Sequence, residues 1–486
     1  MINLHYNNGA KKKYIETKTN KNSDILFKDL SFLKYKLQLI FCESNSDKDK
    51  INNFILRYLV EKKNHDKKET KDILKYFESN IPFSHSVRVT DYDKLFFLIN
   101  SGFVVICIDG INEAIAFEVK SSLNSDVAPA QSESVIKGPK DAFTENYQTN
   151  LGMIKKRIKT EDLWIHEFEV GSLSKTKVGV LYINGIVREE LVNAVISKIN
   201  DIDIESTMDS NYIANFIEGN NNKVFPTSLS TERPDIVTTG LYDGKVVIMV
   251  ENSQLLLVLP TLFFDFFQST EDLYQKPMNS NYTRIIRLMA FIITILTPAL
   301  YIAVTTYNQE AIPTKLLINL AMQREGVPLP PFLEALLMMV IFEVLKETDI
   351  RVPSVIGSSL SIVGAIVLGE AAVTAGLVSP MMVIVISITS ISGFIVSSID
   401  MVNSIRIWRL LFLIFASIAG IMGIMVSSLI LIVNLTSTEI LGIPYLLPLA
   451  PLSKKDIKGG ILVSNKSRFF KRNTYLTKNV TRGDDD

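Results

Sequence analysis

Side chains that often catalyse reactions or bind metals are few in this sequence, and they form no recognisable set. The histidines show no spacing typical of metal ligands. Cys42 and Cys107 each lie in an apolar, strand-like run, where a thiol serves as a small core side chain. The sequence contains no glycine-rich phosphate loop, dinucleotide fingerprint or GxSxG turn. The histidines are His5, His65, His85 and His166. We therefore expect no enzyme activity, no cofactor and no metal centre.

Charge is distributed unevenly along the 486 residues, although 51 basic and 51 acidic side chains balance each other. Residues 1–281 are rich in Lys, Asp and Glu, as a solvated surface requires, whereas residues 285–450 are strongly apolar. The overall balance argues against nucleic-acid binding, which needs a basic face. The N-terminus lacks the apolar core of a signal peptide. The sequence thus predicts an integral membrane protein whose N-terminal region stays in the cytoplasm.

The N-terminal region predicts two small α/β subdomains of similar fold. Each half contains a strand-like run, a helical stretch and then two β-branched runs that flank a turn, as in a β-hairpin. We place a disordered tail with solvated lysines at 1–23, the subdomains at 24–120 and 134–275, and a linker at 121–133. An old duplication would explain the likeness, and a chance resemblance between two α/β folds is the alternative.

Residues 276–450 predict an all-α polytopic membrane domain of four to five helices. A segment at 331–347 is short and charged, so we expect it to lie in the interface or to re-enter the bilayer. The basic tail at 451–486 and the N-terminal region both favour the cytoplasm, which requires an even number of crossings. Arg406 and Arg409 conflict with four crossings, because that arrangement places them outside. The four stretches long enough to cross a bilayer are 285–307, 354–372, 377–399 and 410–435.

A series of ordered motifs makes the sequence recognisable. The motifs include Ile136-Lys-Gly-Pro-Lys-Asp-Ala-Phe-Thr-Glu145, Thr231-Glu-Arg-Pro-Asp235, Gln323-Arg-Glu-Gly-Val-Pro328 and Gly442-Ile-Pro-Tyr-Leu-Leu-Pro-Leu-Ala-Pro451. From about Val89 to Pro451, the chain resembles in these motifs the A subunits of GerA-type spore germinant receptors. The first 90 residues and the tail match only in outline, and Glu251-Asn-Ser-Gln254 departs from the family's frequent Asp-Gly-x-Pro turn.

The resemblance implies a receptor subunit in the inner membrane of a bacterial spore, partnered by the lipid membrane, a transporter-like B subunit and a lipoprotein C subunit. In the family, the B subunit is regarded as the one that binds the nutrient. The A subunit looks like the part that oligomerises and conducts ions, so the resemblance implies a nutrient-gated ion channel that triggers germination. A paralogous sporulation protein of the dipicolinate-transport operon shares the pattern and stays an alternative. A secondary transporter subunit is another, although four or five spans leave little room for inverted repeats.

Small and hydroxylated residues recur along one face of the helix predicted at 354–372, at steps of three and four. Such a face either packs closely on another helix or lines a narrow aqueous path, and the resemblance to a channel subunit favours the second reading more than the residues do alone. The acidic residue at its end would attract cations in a ring of copies, or else be a capped carboxylate at the interface. The candidate pore-lining residues are Ser354, Ser358, Ser361, Ala365, Gly369 and Glu370.

Two further segments are candidates for coupling or for contact with a partner. The aromatic segment at 260–268 precedes the first span and predicts either an amphipathic helix on the membrane surface or a core helix. The charged residues at 231–235 lie in a proline-stopped turn and could bind a polar ligand or partner, or else pair internally. The candidate residues are Phe263, Asp265, Phe266, Glu232, Arg233 and Asp235.

Overall fold

The computed structural model describes residues 2–62, 73–82, 86–121, 129–130, 133, 135–219, 223–269, 271–351, 367–396, 398–453, 472–473 and 475–478. The chain divides into an α/β unit, made of 1–221, 228–260 and 466–486, and a helical unit, made of 222–227 and 261–465. The predicted fold class, an α/β region followed by an α-helical region, is confirmed. The division at 260 differs from the expected one at 275, because the segment after the last strand packs with the helices.

The first subdomain is built on a five-stranded antiparallel sheet. Its strands are β1 (Ile25–Phe32), β2 (Tyr35–Cys42), β3 (Ser86–Val89), β4 (Phe103–Ile108) and β5 (Ala114–Glu118). They follow the order β1-β2-β4-β5-β3 across the sheet. Helices α1 (Asn8–Lys18) and α5 (Tyr92–Asn100) cover one face. After α2 (Lys48–Lys50), a π-helix (Ile51–Leu56), α3 (Arg57–Lys62) and α4 (Ile73–Asn80) cover the other. Every residue of β4 is buried, because helices cover both faces of the sheet.

The N-terminal tail differs from the disordered, solvated segment expected from its lysines. Asn7 caps α1 by accepting a hydrogen bond from the backbone of residue 9. The buried Lys11 ammonium donates to the carbonyl oxygens of Ile108 and Ile111, at 2.9 and 2.8 Å. Ile15 is fully buried in the same cluster as α5. The helix is therefore held by its apolar face and by one lysine that donates to two carbonyl groups at and just after the end of β4.

The second subdomain repeats the first. Its strands are β6 (Leu163–Val170), β7 (Thr176–Ile183), β8 (Leu229–Thr231), β9 (Val246–Val250) and β10 (Leu256–Leu259). Its helices are α6 (Tyr147–Arg157), α7 (Glu189–Asn200), α8 (Ser210–Glu218) and α9 (Pro234–Tyr242). The strand order is β6-β7-β9-β10-β8, which is the order of the first sheet position by position. The prediction of two similar α/β subdomains is confirmed, and the identical order supports a duplication.

One buried ion pair joins the two subdomains. The Lys155 ammonium on α6 donates to the Asp24 carboxylate next to β1, and these side chains are 2% and 1% exposed. The backbone N–H and the hydroxyl of Ser44 donate to the same carboxylate, at 2.9 and 2.7 Å. The Asp24 carboxylate therefore accepts from three donors, and the one charged donor among them, Lys155, comes from the second subdomain.

Removing only one partner of this pair should destabilise the α/β unit. Lys155→Met leaves the Asp24 charge buried without a counterion, so we expect a loss of about 3–5 kcal/mol in the free energy of unfolding. Urea unfolding followed by Trp164 fluorescence, in a Trp408→Phe background, measures it. Lys156→Met, at an exposed neighbouring position, is the matched control and should change the free energy by less than about 0.5 kcal/mol. Equal stability of the two variants would contradict the structural role of the pair.

The helical unit consists of seven helices in the described part of the chain. They are α10 (Glu271–Tyr274), α11 (Pro277–Thr306), α12 (Thr314–Arg324), α13 (Pro331–Arg351), α14 (367–374), α15 (Pro380–Gly393) and α16 (Ile399–Ser437). Two short 3-10 helices (Phe263–Phe267 and Gln309–Ala311) and a two-stranded ribbon of β11 (Glu439–Ile440) and β12 (Ile443–Pro444) complete it. Within the residues described, α11 and α16 are long and apolar enough to cross a membrane.

The helices agree only in part with the predicted spans. The first span, 285–307, corresponds to α11, whereas most of the span at 354–372 lies outside the described residues. In place of the span at 377–399 the structure has the 14-residue α15, about 21 Å long and too short for a bilayer core by itself. The segment at 331–347 belongs to the 21-residue α13, which is longer than expected and about 31 Å in length.

Helix α16 is not straight, although its sequence reads as one long apolar run. Its backbone leaves helical geometry at Ala419 and Gly420, and Gly420 has a φ of +58°. A Cβ on Gly423 would lie 1.9 Å from the carbonyl oxygen of Phe415. A straight helix would separate residues 415 and 423 by about 12 Å. The chain therefore turns sharply at 419–420.

Both ends of α16 bind to the same short segment of the helical unit. The Lys223 ammonium donates to the carbonyl oxygen of Glu439 at 2.7 Å, and the Ser404 hydroxyl donates to the carbonyl oxygen of Val224 at 2.5 Å. Because 223 and 224 are adjacent, the beginning and the end of α16 lie side by side. The two halves of the helix are thus antiparallel, which differs from the straight helix expected for the span at 410–435.

The turn of α16 lies beside the C-terminal end of α11. The Tyr307 hydroxyl donates to the carbonyl oxygen of Ser417 at 2.7 Å, and the Tyr307 side chain closes over Gly420. Arg406 and Arg409 lie in the first half of α16, several turns before this point. They are consequently displaced toward the end at which α11 begins.

Candidate coupling site and pore segment

The aromatic segment before α11 is a single 3-10 turn whose rings point into the helical unit. Phe263, Phe264, Phe266 and Phe267 are all less than 9% exposed. Asp265 fixes the turn, because its carboxylate accepts the backbone N–H of residue 262 at 3.0 Å and the side-chain amide of residue 268 at 3.2 Å. These phenylalanines therefore act as core side chains, the second of the two predicted alternatives.

Phe263 lies at the centre of an aromatic cluster in the helical unit. Its ring centroid is 5.5 Å from that of Phe291 on α11, and 6.0 and 6.1 Å from those of Tyr445 and Phe225. Phe225 in turn stacks on Trp408 of α16 at 6.0 Å. Favourable ring pairs of this kind contribute about 0.5–1.5 kcal/mol each beyond their buried area. The cluster ties the start of the unit to α11, α16 and the segment after α16.

Sequence reasoning found one part of this cluster and missed the rest. Phe225 and Trp408 stand alone among polar or aliphatic neighbours, so nothing in their local sequence indicates a contact across almost two hundred positions. Tyr445 lies in a motif that carried the family resemblance, but that motif does not indicate its contact with Phe263. The Tyr445 carbonyl oxygen accepts the Phe263 N–H at 3.1 Å.

A buried charge cluster stands next to the aromatic cluster, at the beginning of α11. The Asp272 carboxylate, 1% exposed, accepts from Arg284 at 2.9 Å and from Arg287 at 3.1 Å. The Arg287 guanidinium also donates to the carbonyl oxygen of Phe267 at 3.2 Å. Arginines at the start of an apolar span are generally expected to bind lipid headgroups. The structure corrects this expectation, because a carboxylate supplied by α10 pairs with them within the protein.

The predicted candidates at 231–235 pair internally. The Arg233 guanidinium, 1% exposed, forms a two-pronged ion pair with Asp235 at 3.1 and 2.8 Å. It also donates to the carbonyl oxygens of Glu133 and Pro139, at 3.1 and 2.9 Å. The Glu232 carboxylate accepts the backbone N–H of Glu133 at 3.0 Å. This turn therefore fastens the chain at 133–139 to the second sheet, the role that internal pairing implies.

Burial of the Glu133 carboxyl raises its pKa from 4.5 to about 7, and the neighbouring Glu232 adds to this effect. Thr231 donates to the same carboxyl at 2.5 Å and acts in the opposite direction. Because the folded-state pKa lies above the unfolded value, the folded protein binds a proton more tightly. The associated stabilisation is complete below about pH 4.5 and is lost as the pH rises through about 7.

Replacing this carboxyl by its neutral isostere should flatten that pH dependence. Between about pH 5 and pH 8, we expect the free energy of unfolding to fall less for Glu133→Gln than for the parent, by on the order of 2 kcal/mol. Urea unfolding at the two pH values measures the difference. Glu190→Gln, at an exposed site, should behave like the parent. An unchanged pH dependence in Glu133→Gln would contradict the raised pKa.

Only the last part of the candidate pore face falls within the described residues. Glu370 on α14 is exposed, and Gly369 is half-buried. A Cβ on Gly369 would meet Val383 of α15 at 3.9 Å, which is an ordinary contact. Glycine is therefore not required there by packing within one chain. Outside the described residues lie Ser354, Ser358, Ser361 and Ala365.

Two carboxylates of α13, Glu334 and Glu343, find partners within the helical unit. Glu334 is fully buried and accepts from the Ser379 backbone N–H at 2.7 Å and from the Ser379 hydroxyl, at the start of α15. Glu343 pairs with Arg406 of α16 at 2.6 Å. Two carboxylates nine residues apart lie on opposite faces of a helix, so one neighbouring helix could not pair with both. Helices on two sides of α13 remove that difficulty, and sequence spacing alone could not reveal them.

The chain thus joins a large α/β unit to a helical unit that contains, among the described residues, two helices long and apolar enough to cross a membrane. The family described as the Bacillus/Clostridium GerA spore germination protein matches residues 13–475. The chain therefore belongs to the GerA family of spore germination proteins, as its motifs predicted.

Several relatives resemble the chain over nearly its whole length. The spore germination protein KA of Bacillus subtilis (strain 168) is 36% identical, covering 93% of this chain and 83% of the relative. GerQA of Bacillus cereus is 32% identical over 93% and 89%. A membrane protein of Bacillus subtilis, YfkQ, is 33% identical over 78% and 74%. The crystal structure of the N-terminal domain of the A subunit of the Bacillus megaterium spore germinant receptor GerK3 is 27% identical, with a TM-score of 0.44, covering 54% of this chain and 97% of that one.

Proposed function

We propose that this chain is the A subunit of a nutrient receptor in the spore inner membrane, acting with a transporter-like B subunit and a lipoprotein C subunit. Several copies surround an ion path lined by the small face of 354–372, and the path opens when the receptor senses its nutrient. The observation that carries the proposal is full-length similarity to proteins named for spore germination. The paired charges and apolar helices of the helical unit support it, because an ion path needs a stable scaffold in lipid.

The aromatic cluster and the Asp272 charge cluster are the proposed coupling element. Strand β10 ends at Leu259, the 3-10 turn begins at Phe263 and α11 begins at Pro277. The chain therefore passes from the second sheet into the first apolar helix through a segment held by stacked rings and buried charges. A displacement that reaches this segment would pass to α11 through these packed side chains.

We further propose six crossings in place of four. In the helical unit, α11, α13, the segment that ends in α14, α15 together with the apolar residues before and after it, and the two halves of α16 supply them. The number is even, as shared cytoplasmic termini require. Support for shared termini comes from the α/β unit itself, where Thr477 of the tail forms a β-bridge with Val187 and Lys478 pairs with Glu189 at 2.5 Å.

Cysteine labelling in intact membranes distinguishes the two arrangements. With six crossings, Asn403→Cys lies on the cytoplasmic side and should be protected from an impermeant reagent, whereas Glu310→Cys should react. Both positions are exposed in the protein, and the native Cys42 and Cys107 are buried and free. The single span at 410–435 would instead place residue 403 outside. Labelling of Asn403→Cys from outside would contradict the six crossings.

Substitutions at Ala365 test the ion path. In the reconstituted receptor, Ala365→Ser should wet the constriction and cause a several-fold rise in nutrient-independent conductance, because a hydrophobic narrowing closes by dewetting. Ala365→Leu should suppress conductance, and Glu370→Gln should alter cation preference. Ala311→Ser, at an exposed site on a loop helix, should conduct like the parent. If both Ala365 variants assemble and conduct like the parent, this helix is a packing element and the path lies elsewhere.

A further inference from the structure

A charged cavity lies inside the helical unit, between α11, α13, α15 and α16. Its volume is about 50 Å³, room for roughly four water-sized groups at 10–15 Å³ each. Aromatic and aliphatic side chains form most of its wall. Among the described residues that line it, the polar and charged groups are Thr294, Glu343, Lys346, Ser390, Arg406 and Arg409.

Positive charge exceeds negative charge around this cavity. Three cationic side chains face a single carboxylate among the described lining residues. Glu343 pairs closely with Arg406, at 2.6 Å, and only loosely with Arg409, at 3.8 Å. The Lys346 ammonium lies over the ring of Phe394, 5.1 Å from its centroid. One carboxylate can neutralise one of the three cations, so two positive charges are left without a full counterion in the cavity wall.

Arg409 carries the least compensated of these charges. Its side chain is 11% exposed, and its buried Nε has no hydrogen-bond partner among the described residues. A buried donor without a partner costs free energy, and a buried charge without a counterion costs more. An anion in the cavity would lower both costs. The planar guanidinium forks of two arginines and a point-like ammonium are the groups that proteins use to hold phosphate oxygens.

We propose that this cavity binds a phosphate group, presented either by an anionic phospholipid or by a free phosphate ion. Arg406, Arg409 and Lys346 bind its oxygens, and the four oxygens match the volume of the cavity. Glu343 opposes the anion while it holds Arg406 in place, so it limits affinity. The site is separate from the candidate pore face on 354–372, and the proposal does not depend on ion conduction.

Binding measurements on the purified full-length protein test the site in two arms. In the first arm, equilibrium dialysis measures the affinity for inorganic phosphate. In the second, native mass spectrometry measures retention of short-chain phosphatidylglycerol, with phosphatidylcholine as the neutral lipid. Each arm compares the parent with Lys346→Met, Arg406→Gln and Glu343→Gln. Lys315→Met, at an exposed position on α12, is the matched control for charge.

We expect the variants to change the affinity for phosphate in opposite directions. Lys346→Met and Arg406→Gln should each weaken binding about tenfold, as expected for the loss of one charge-assisted hydrogen bond. Glu343→Gln should tighten binding, because it removes the opposing charge, and Lys315→Met should leave it unchanged. Damage to folding could weaken binding in every variant but could not tighten it in one.

The outcome also identifies the source of the phosphate. Saturable binding of inorganic phosphate alone indicates a soluble ion, whereas selective retention of phosphatidylglycerol over phosphatidylcholine indicates a lipid headgroup. Either result, with the expected pattern of variants, supports the site. If neither molecule binds, or if affinity is the same in the parent, Lys346→Met, Arg406→Gln and Glu343→Gln, the proposal is wrong.

Discussion

Removing a charge from water costs several kcal/mol unless a partner replaces the lost hydration, and this cost determines how the elements of the chain meet. Asp24 and Lys155 join the two halves of the α/β unit, and Arg233 fastens a long connection onto the second sheet. At the base of α11, Asp272 gathers two arginines. Asp24 and Asp272 each pair with a charge from a different element, and Arg233 donates to the distant carbonyl groups of Glu133 and Pro139. Buried charges therefore specify which segments must be neighbours. Apolar burial supplies most of the stability, but it specifies less strictly which elements pack against each other.

The α/β unit was predictable from the sequence because its signals are local. Alternating strands, a hairpin turn and a repeated order of elements lie within short windows, and together they indicate two similar sheets. The order of strands within each sheet was not predictable in the same way, since it depends on which edges pair across distant segments. The lysines near the N-terminus were misleading for another reason. Lys11 is buried because carbonyl groups about one hundred positions away need a donor.

The helical unit was less predictable, and the reasons lie in particular residues. Apolar content identifies where helices are but says little about where one ends, so the fold-back within α16 was missed. The sequence does carry a sign of this fold-back in two glycines. Gly420 allows a left-handed backbone, and Gly423 allows the two halves of α16 to approach closely. Similar glycines elsewhere in apolar helices simply pack against neighbours. The partners of Glu334 and Glu343 could likewise not be predicted from the sequence, because they come from α15 and α16 and not from α13.

The fold-back of α16 also limits where the protein can tolerate inserted or deleted residues. The beginning and the end of the helix bind adjacent residues, Val224 and Lys223, while its turn is closed by Tyr307 at the far end of α11. One inserted residue in either half would rotate everything beyond it by about 100° and shift it by about 1.5 Å. Ser404 and Glu439 could then no longer both reach their partners. The two halves of α16 and helix α11 must therefore keep matching lengths. We expect inserted or deleted residues to be tolerated only in the loops that connect these helices.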